Sequence, residues 1–463
     1  MLNSQAEGAG SRQPLVTRPL LLRFVSIIGA STSFYLLLSV VPLYAEVSGG
    51  GHGDAAGLTT GTLMLATVGG ELATPRLVAR FGYRLTLVAG LFLLGAPAFA
   101  LAASGSAVWI AAVCVLRGLG FAFTVVAGGA LTASLIPAER RGEGLALVGI
   151  VTGIPSLVAL PLGVWLVDHV GYGPVFAAGA VAALAAIVSV PGLPDRETGS
   201  PDREAGSPGR DAGLRGRDPD SPDRDGGRPD RDGGRPDRDG GRPDRDGGRP
   251  DHDGGRPDRD AGRPDREAAP ERPIGVTAGF RTPALARPAL VFAATALAAG
   301  ILVTFLPLAV PSASAGVVAA ALFAQTAAAT AARWVAGRHG DRHGPAALLL
   351  PGLAVAAGGM LLTALTHSPV AVVLGTALFG VGFGVTQNAT LTLMYARVPA
   401  SGYGTVSALW NFAFDAGMGV GAVGFGILAG RTGYPWAFVL TAVLMLTALA
   451  PARRDRRTEG ARA

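Results

Sequence analysis

The sequence predicts an all-α membrane protein: twelve transmembrane helices in two pseudo-symmetric six-helix bundles. Three observations carry that expectation. Twelve apolar stretches are each about long enough to cross a bilayer, short motifs recur at one offset of 262 residues, and arginines gather on one side of the implied topology.

A bilayer core of ~30 Å needs about 20 apolar residues in a helix. Six stretches meet this in the first half, roughly at 21–45, 58–75, 85–103, 108–133, 145–167 and 174–193. Six more follow at 288–310, 314–335, 346–366, 370–395, 404–429 and 435–451, with Pro307 and Pro311 blurring the turn between the seventh and eighth. The first stretch is too long for a signal-peptide core and is read as a retained membrane helix.

The fixed offset implies an internal duplication. Pro75-Arg76-Leu77-Val78-Ala79-Arg80-Phe81-Gly82 pairs with the charged turn Gly337-Arg338-His339-Gly340-Asp341-Arg342-His343-Gly344. Leu116-Arg117-Gly118-Leu119-Gly120-Phe121 pairs with Leu378-Phe379-Gly380-Val381-Gly382-Phe383, and Gly171-Tyr172 with Gly433-Tyr434. Two similar halves in a membrane chain are the signature of a transporter.

Charge is sparse and unevenly placed. Charged residues make up 16% of the 463, yet residues 195–287 alone hold 20 arginines and 22 acids. The remainder is far below the roughly one quarter charged that a soluble domain carries. From Pro222 to Arg263 a heptad Pro-Asp-Arg-Asp-Gly-Gly-Arg recurs, with His252 and Ala261 as lapses. A proline and two glycines per repeat forbid a helix, and balanced charge without apolar residues cannot build a core. The expected organisation is therefore a tail (1–20), a bundle (21–194), a disordered linker (195–287), a second bundle (288–451) and a tail (452–463).

Seventeen arginines fall on the side of the termini and Arg431 alone on the other. By the positive-inside rule both termini are cytoplasmic, and the expected location is the plasma (inner) membrane. The net charge of +6 suggests nucleic acid, but the basic residues outside the linker sit in short loops between apolar runs. The single cysteine, Cys114, excludes an internal disulfide and a cysteine zinc site. His339 and His343 flank Asp341 without a second carboxylate, so no metal is expected. No phosphate-cradling loop with Lys and Ser/Thr is present, so ATP hydrolysis is not supported; a transporter and not an enzyme is expected.

Within the stretches, Glu71, Arg117 and Asp415 stand out. A charge at the bilayer centre costs about 2.5–3.5 kcal/mol on insertion scales, so each should face a partner or a solute path. Arg117 and Asp415 are the leading candidates for transport and proton coupling, with interhelical anchoring as the plainer role. Glu71 could be satisfied by Arg76 or Arg80. Ser33, Tyr35, Gln325, Gln387, Asn388 and Asn411 could line a cavity. Gly118, Gly120, Gly380, Gly382 and Gly384 have the small-residue spacing of closely packed helices.

These residues resemble the major facilitator superfamily across essentially the whole chain except 195–287. Gly337-x-x-x-Asp341-Arg342-x-Gly344 is similar to the family's signature loop between helices 8 and 9, which implies a cytoplasmic gate of Gly337, Asp341, Arg342 and Gly344. In the first-half copy Arg80 and Gly82 match, but Ala79 stands where Asp is expected and Pro75 where Gly is, leaving Arg76, Arg84 or Glu71 to compensate. Arg117-Gly118-Leu119-Gly120 resembles the helix 4 motif of proton-coupled members, in which the arginine is tied to proton transfer. Gly149-x-x-x-Gly153, Pro161 and Gly163 resemble the helix 5 motif of drug antiporters, with Ala159, Leu160 and Val164 as departures. Trp410 to Gly417, including Asn411 and Asp415, is similar to bacterial drug and sugar efflux-type members.

The resemblance implies alternating access, with proton influx driving export of a small amphipathic drug or metabolite. The expected partners are that substrate, protons and the lipid bilayer, with no nucleic acid and no cofactor, the chain acting as a monomer. Two other readings stand beside it: a proton-coupled uptake permease for a sugar or organic acid, and a non-transporting membrane sensor or scaffold.

Overall fold

The computed structural model describes residues 17–49, 54–136, 141–195, 276–311, 315–399 and 402–460, and the repeat segment lies outside them. Every regular element among the described residues is helical. Helix α1 is Arg18–Leu38, capped by the Thr17 hydroxyl, which accepts from the Leu20 N–H. After a break at Ser39 it continues as Val40–Gly49. The run Asp54–Ala100 turns sharply at Gly82 (φ 80°, ψ 174°), giving α2 before it and α3 after it. Then come α4 (Ala107–Leu135), α5 (Arg141–Val170) and α6 (Tyr172–Ala186). The second half holds α7 (Pro283–Ala309), α8 (Ala315–His343), α9 (Leu349–Thr363), α10 (Pro369–Tyr395), α11 (Tyr403–Thr432) and α12 (Tyr434–Thr447). Short helices Val276–Arg281 and Leu449–Gly460 flank it.

Ten helical runs among the described residues are long and apolar enough to cross a membrane by composition alone. One of them, Asp54–Ala103, folds back at Gly82 and so makes two spans. The twelfth span is α8, whose alanine-rich sequence carries Gln325, Thr326 and Arg333 and falls short in apolarity for that reason. The sequence places this span at 314–335 and reads 337–344 as a turn. The structure keeps the helix intact to His343 and turns only at Gly344. Loss of hydropathy marks where a helix leaves the apolar layer, whereas its backbone hydrogen bonds run on into the polar interface.

The duplication is written in the backbone. Among the described residues four glycines have positive φ, Gly82 (80°), Gly171 (79°), Gly344 (82°) and Gly433 (77°), and they form two pairs at the 262-residue offset. Packing repeats at the same offset. A Cβ on Gly118 would overlap the Leu63 carbonyl of α2, and one on Gly380 would overlap the Gln325 carbonyl of α8. Likewise Gly120 abuts Leu94 and Gly90 of α3, as Gly382 abuts Ala356 and Gly352 of α9. Within each half, backbone approaches that only glycine allows replace the hydrophobic drive that lipid cannot supply.

The halves meet along two seams. In one, α2 packs on α11, with Gly57 against the Ala422 carbonyl and Gly419 against the Met64 side chain. In the other, α5 packs on α8. On the side away from the chain ends, the Ser39 hydroxyl donates to the Val303 carbonyl (2.7 Å) and the Thr60 and Thr304 hydroxyls share a hydrogen bond (2.9 Å). On the side of the chain ends, buried Asp455 of the final helix pairs with Arg397 (3.2 Å) and lies 3.9 Å from Arg287, tying that helix to α7 and to the end of α10.

Candidate functional site

A cavity of about 370 Å³ lies between the halves, lined by α1 and α5 from the first and by α7, α8, α10 and α11 from the second. Phe34, Tyr35, Phe383 and Phe414 give it aromatic walls. Its polar groups include Thr152, Ser156, Gln325, Thr326, Arg333 and Gln387. Helical spacing explains one wall: Gln325, Ala329 and Arg333 recur every fourth residue and so share a face of α8. The mix of mostly apolar surface with a few converging polar groups is that of a small-molecule site.

Beside this cavity the α2–α11 seam holds a carboxyl pair. Glu71 and the buried Asp415 are in hydrogen-bonding contact across the two halves. Two carboxyl groups can touch in this way only by sharing a proton, because two bare carboxylates would repel. Tyr35, which lines the cavity, lies near both Asp415 and Arg333. Glu71 therefore partners the other half of the molecule, and not Arg76 or Arg80 as its neighbours in sequence suggest.

A family model described as Major Facilitator Superfamily matches residues 23–422, with a second match over 289–462. The chain belongs to the Major Facilitator Superfamily. Solved crystal structures share the fold. That of the nucleoside transporter NupG aligns with a TM-score of 0.63 at 12% identity, covering 95% of this chain and 99% of that one. A bacterial homologue of the human lysosomal transporter Spinster, inward-facing and unoccupied, aligns with 0.66 at 14% identity, covering 97% and 98%. No curated protein sequence matches the chain. As a superfamily member it is a multi-pass membrane transporter and not an enzyme.

In this superfamily member the residues singled out in the sequence fall into groups. Tyr35, Gln325 and Gln387 line the cavity, as do Gly149 and Gly153 of α5. Gly163 instead packs on the Leu36 carbonyl of α1, and Pro161 is buried in the same helix. Asn388 and Asn411 are half-buried and outside the cavity wall. Arg117 is buried away from the cavity, its guanidinium donating to the Leu94 carbonyl of α3 and the Ser33 carbonyl of α1 (3.1 Å each).

The gate loops differ between the halves. Gly344 turns the chain directly after α8, whose last residues include Asp341, helical in backbone, and Arg342, exposed. At the first-half turn Arg80 is exposed, its guanidinium over the Phe81 ring. At this turn, where Ala79 stands in place of an acid, Arg84 takes part together with Asp195. Asp195, just past the end of the first bundle, takes up the turn: its carbonyl accepts from the Tyr83 N–H (3.1 Å) and its carboxylate from the Arg84 N–H (3.1 Å). The Arg84 side chain donates back to the Leu193 carbonyl. A Cβ on Gly82 would lie 2.6 Å from the Asp195 carboxylate, so the glycine makes room for the cap as well as the turn. Asp195→Ala is expected to cost about 1 kcal/mol, as for other helix N-caps, and to lower the melting midpoint of the purified protein. Asp195→Asn should retain most of the stability; equal midpoints for all three proteins would show the carboxylate to be idle.

Besides Asp195, three charged residues of consequence are hidden in the sequence. Arg333 looks like one more arginine at the end of an apolar stretch. Arg23 looks the same, yet it is buried and donates to the Gly128 and Thr124 carbonyls of α4. Glu46, also buried, accepts from the Ala56 N–H at the start of α2. Only the helical register of Arg333, eight residues after Gln325, signals its place.

Proposed function

We propose that the chain is a proton-coupled secondary transporter that exports a small amphipathic molecule by alternating access. The carboxyl contact of Glu71 and Asp415 carries this reading. It joins the two halves beside the cavity, so taking up or releasing its proton changes the affinity of the halves for one another. Asp415 and Glu71 serve as the proton site, and Tyr35, Gln325 and Gln387 face the substrate. Arg117 anchors α4 to α1 and α3 inside the first bundle. Gly337, Asp341, Arg342, Gly344, Arg80 and Gly82 shape the loops on the side of the chain ends. The arginine bias supports cytoplasmic termini in the inner membrane, and export follows the helix 5 likeness to antiporters. The repeat segment joins the bundles as a linker, and the chain works as a monomer.

Everted membrane vesicles test direction and coupling together. Acidifying the lumen is expected to drive accumulation of at least one member of a panel of anionic, neutral and cationic aromatic compounds. Accumulation confined to right-side-out vesicles with acid outside would make the chain an uptake symporter. Flux that ignores the proton gradient in both preparations would remove protons from the mechanism.

A further inference from the structure

The two seams between the halves are related by the duplication, but their charges are not. The 262-residue offset carries Glu71 of α2 onto Arg333 of α8, and Gly153 of α5 onto Asp415 of α11. At the α2–α11 seam the equivalent pair is carboxyl against carboxyl. At the α5–α8 seam the equivalent positions hold a guanidinium and a glycine, and both residues line the cavity. Open space surrounds the position a Cβ on Gly153 would occupy. Arg333 reaches the Thr330 hydroxyl of its own helix (3.3 Å) and makes no ion pair among the described residues. Among those residues, no acidic side chain lines the cavity wall.

A second observation points to a ligand at the same place. The side-chain oxygens of Gln325 and Gln387 are buried without a hydrogen-bond partner among the described residues, and both residues face the cavity. Gln325 itself is 5% exposed. Buried polar atoms are normally satisfied, and those that are not commonly await a ligand. Gln325 and Arg333 lie about 12 Å apart along one face of α8, a rise of about 1.5 Å for each of eight residues.

We infer that the cavity takes an organic anion: a carboxylate held by Arg333, an N–H-bearing amide or similar polar edge met by Gln325 and Gln387, and an aromatic or planar body between Phe34, Phe383 and Phe414. This names the substrate class for the transport reading and rests on it. An arginine presents a fork of donors suited to a carboxylate, and in a cavity without acidic groups it repels cations. The substrates excluded are the organic cations.

Three probes that share one ring separate the contributions: N-acetyltyrosine (anion), N-acetyltyrosinamide (neutral) and tyrosinamide (cation). Titration of the purified full chain in nanodiscs is expected to rank them in that order. The anion should bind about tenfold tighter than the neutral amide, the usual scale of a charge-assisted hydrogen bond. Arg333→Gln should level the first two, and Gln325→Leu should weaken both. Gly153→Asp should abolish anion binding by placing a carboxylate in the wall of the same cavity, with the melting midpoint maintained because the position is open. Tightest binding of the cation, an order unchanged by Arg333→Gln, or no binding of any probe would overturn the inference. Proton-gradient dependence of flux is measured separately, so a failed binding order with intact proton-driven flux removes the anion assignment and leaves transport standing.

Discussion

Glu71→Gln and Asp415→Asn are each expected to uncouple transport from the proton gradient while leaving exchange intact. An amide can still hydrogen-bond across the α2–α11 seam, so the halves keep their contact, but it cannot take up or release a proton in the working range. Gradient-driven accumulation in proteoliposomes should fall about tenfold or more, the size of a typical coupling free energy between two sites. Counterflow of the same compound, which needs no net proton movement, should continue. Because the two carboxyls act as one unit, the double variant should be little worse than either single one. Gradient-driven accumulation that survives in both single variants would place the proton site elsewhere.

Arg117→Ala is expected to act first on the fold. The side chain is buried, and its guanidinium supplies donors to carbonyls of α1 and α3 from its place on α4. Truncation opens a cavity and strips two carbonyls of charge-assisted partners, costing about 3 kcal/mol or more. A large fall in the melting midpoint and in the yield of folded protein should follow, with Arg117→Lys intermediate. The surviving folded fraction should keep its proton dependence. A variant that melts normally and loses only proton-driven flux would return Arg117 to the proton path that the helix 4 motif implies.

Much of the architecture was legible in the sequence because two of its signals are local and strong. Apolar length marks a span, and a repeated motif at fixed spacing marks a duplication; the positive-φ pairs Gly82 with Gly344 and Gly171 with Gly433 lie where the repeated motifs put them. What hydropathy hid was where helices end. Helix α8 runs to His343 because backbone hydrogen bonding outlasts the apolar layer. The site was legible only in part. Tyr35, Gln325 and Gln387 stand out as polar residues inside apolar runs. Partnerships were not legible: Glu71 has arginines five and nine residues away, yet its contact lies 344 residues on in the other half. Arg333 was hidden by its company, since a lone arginine at the end of a span reads as a topology marker until the register of its helix is known. Asp195 was hidden for another reason, standing among the dense charges that begin the repeat segment.

On the far side of the molecule, two hydroxyl contacts among the described residues, Ser39 to Val303 and Thr60 to Thr304, join the halves beside a shared apolar core that includes Leu38, Val40, Leu302 and Phe305. Hydrogen bonds of this kind inside a bilayer average about 0.6 kcal/mol each. A cargo opens this door only if it grips the open form better than the closed one by more than these contacts are worth.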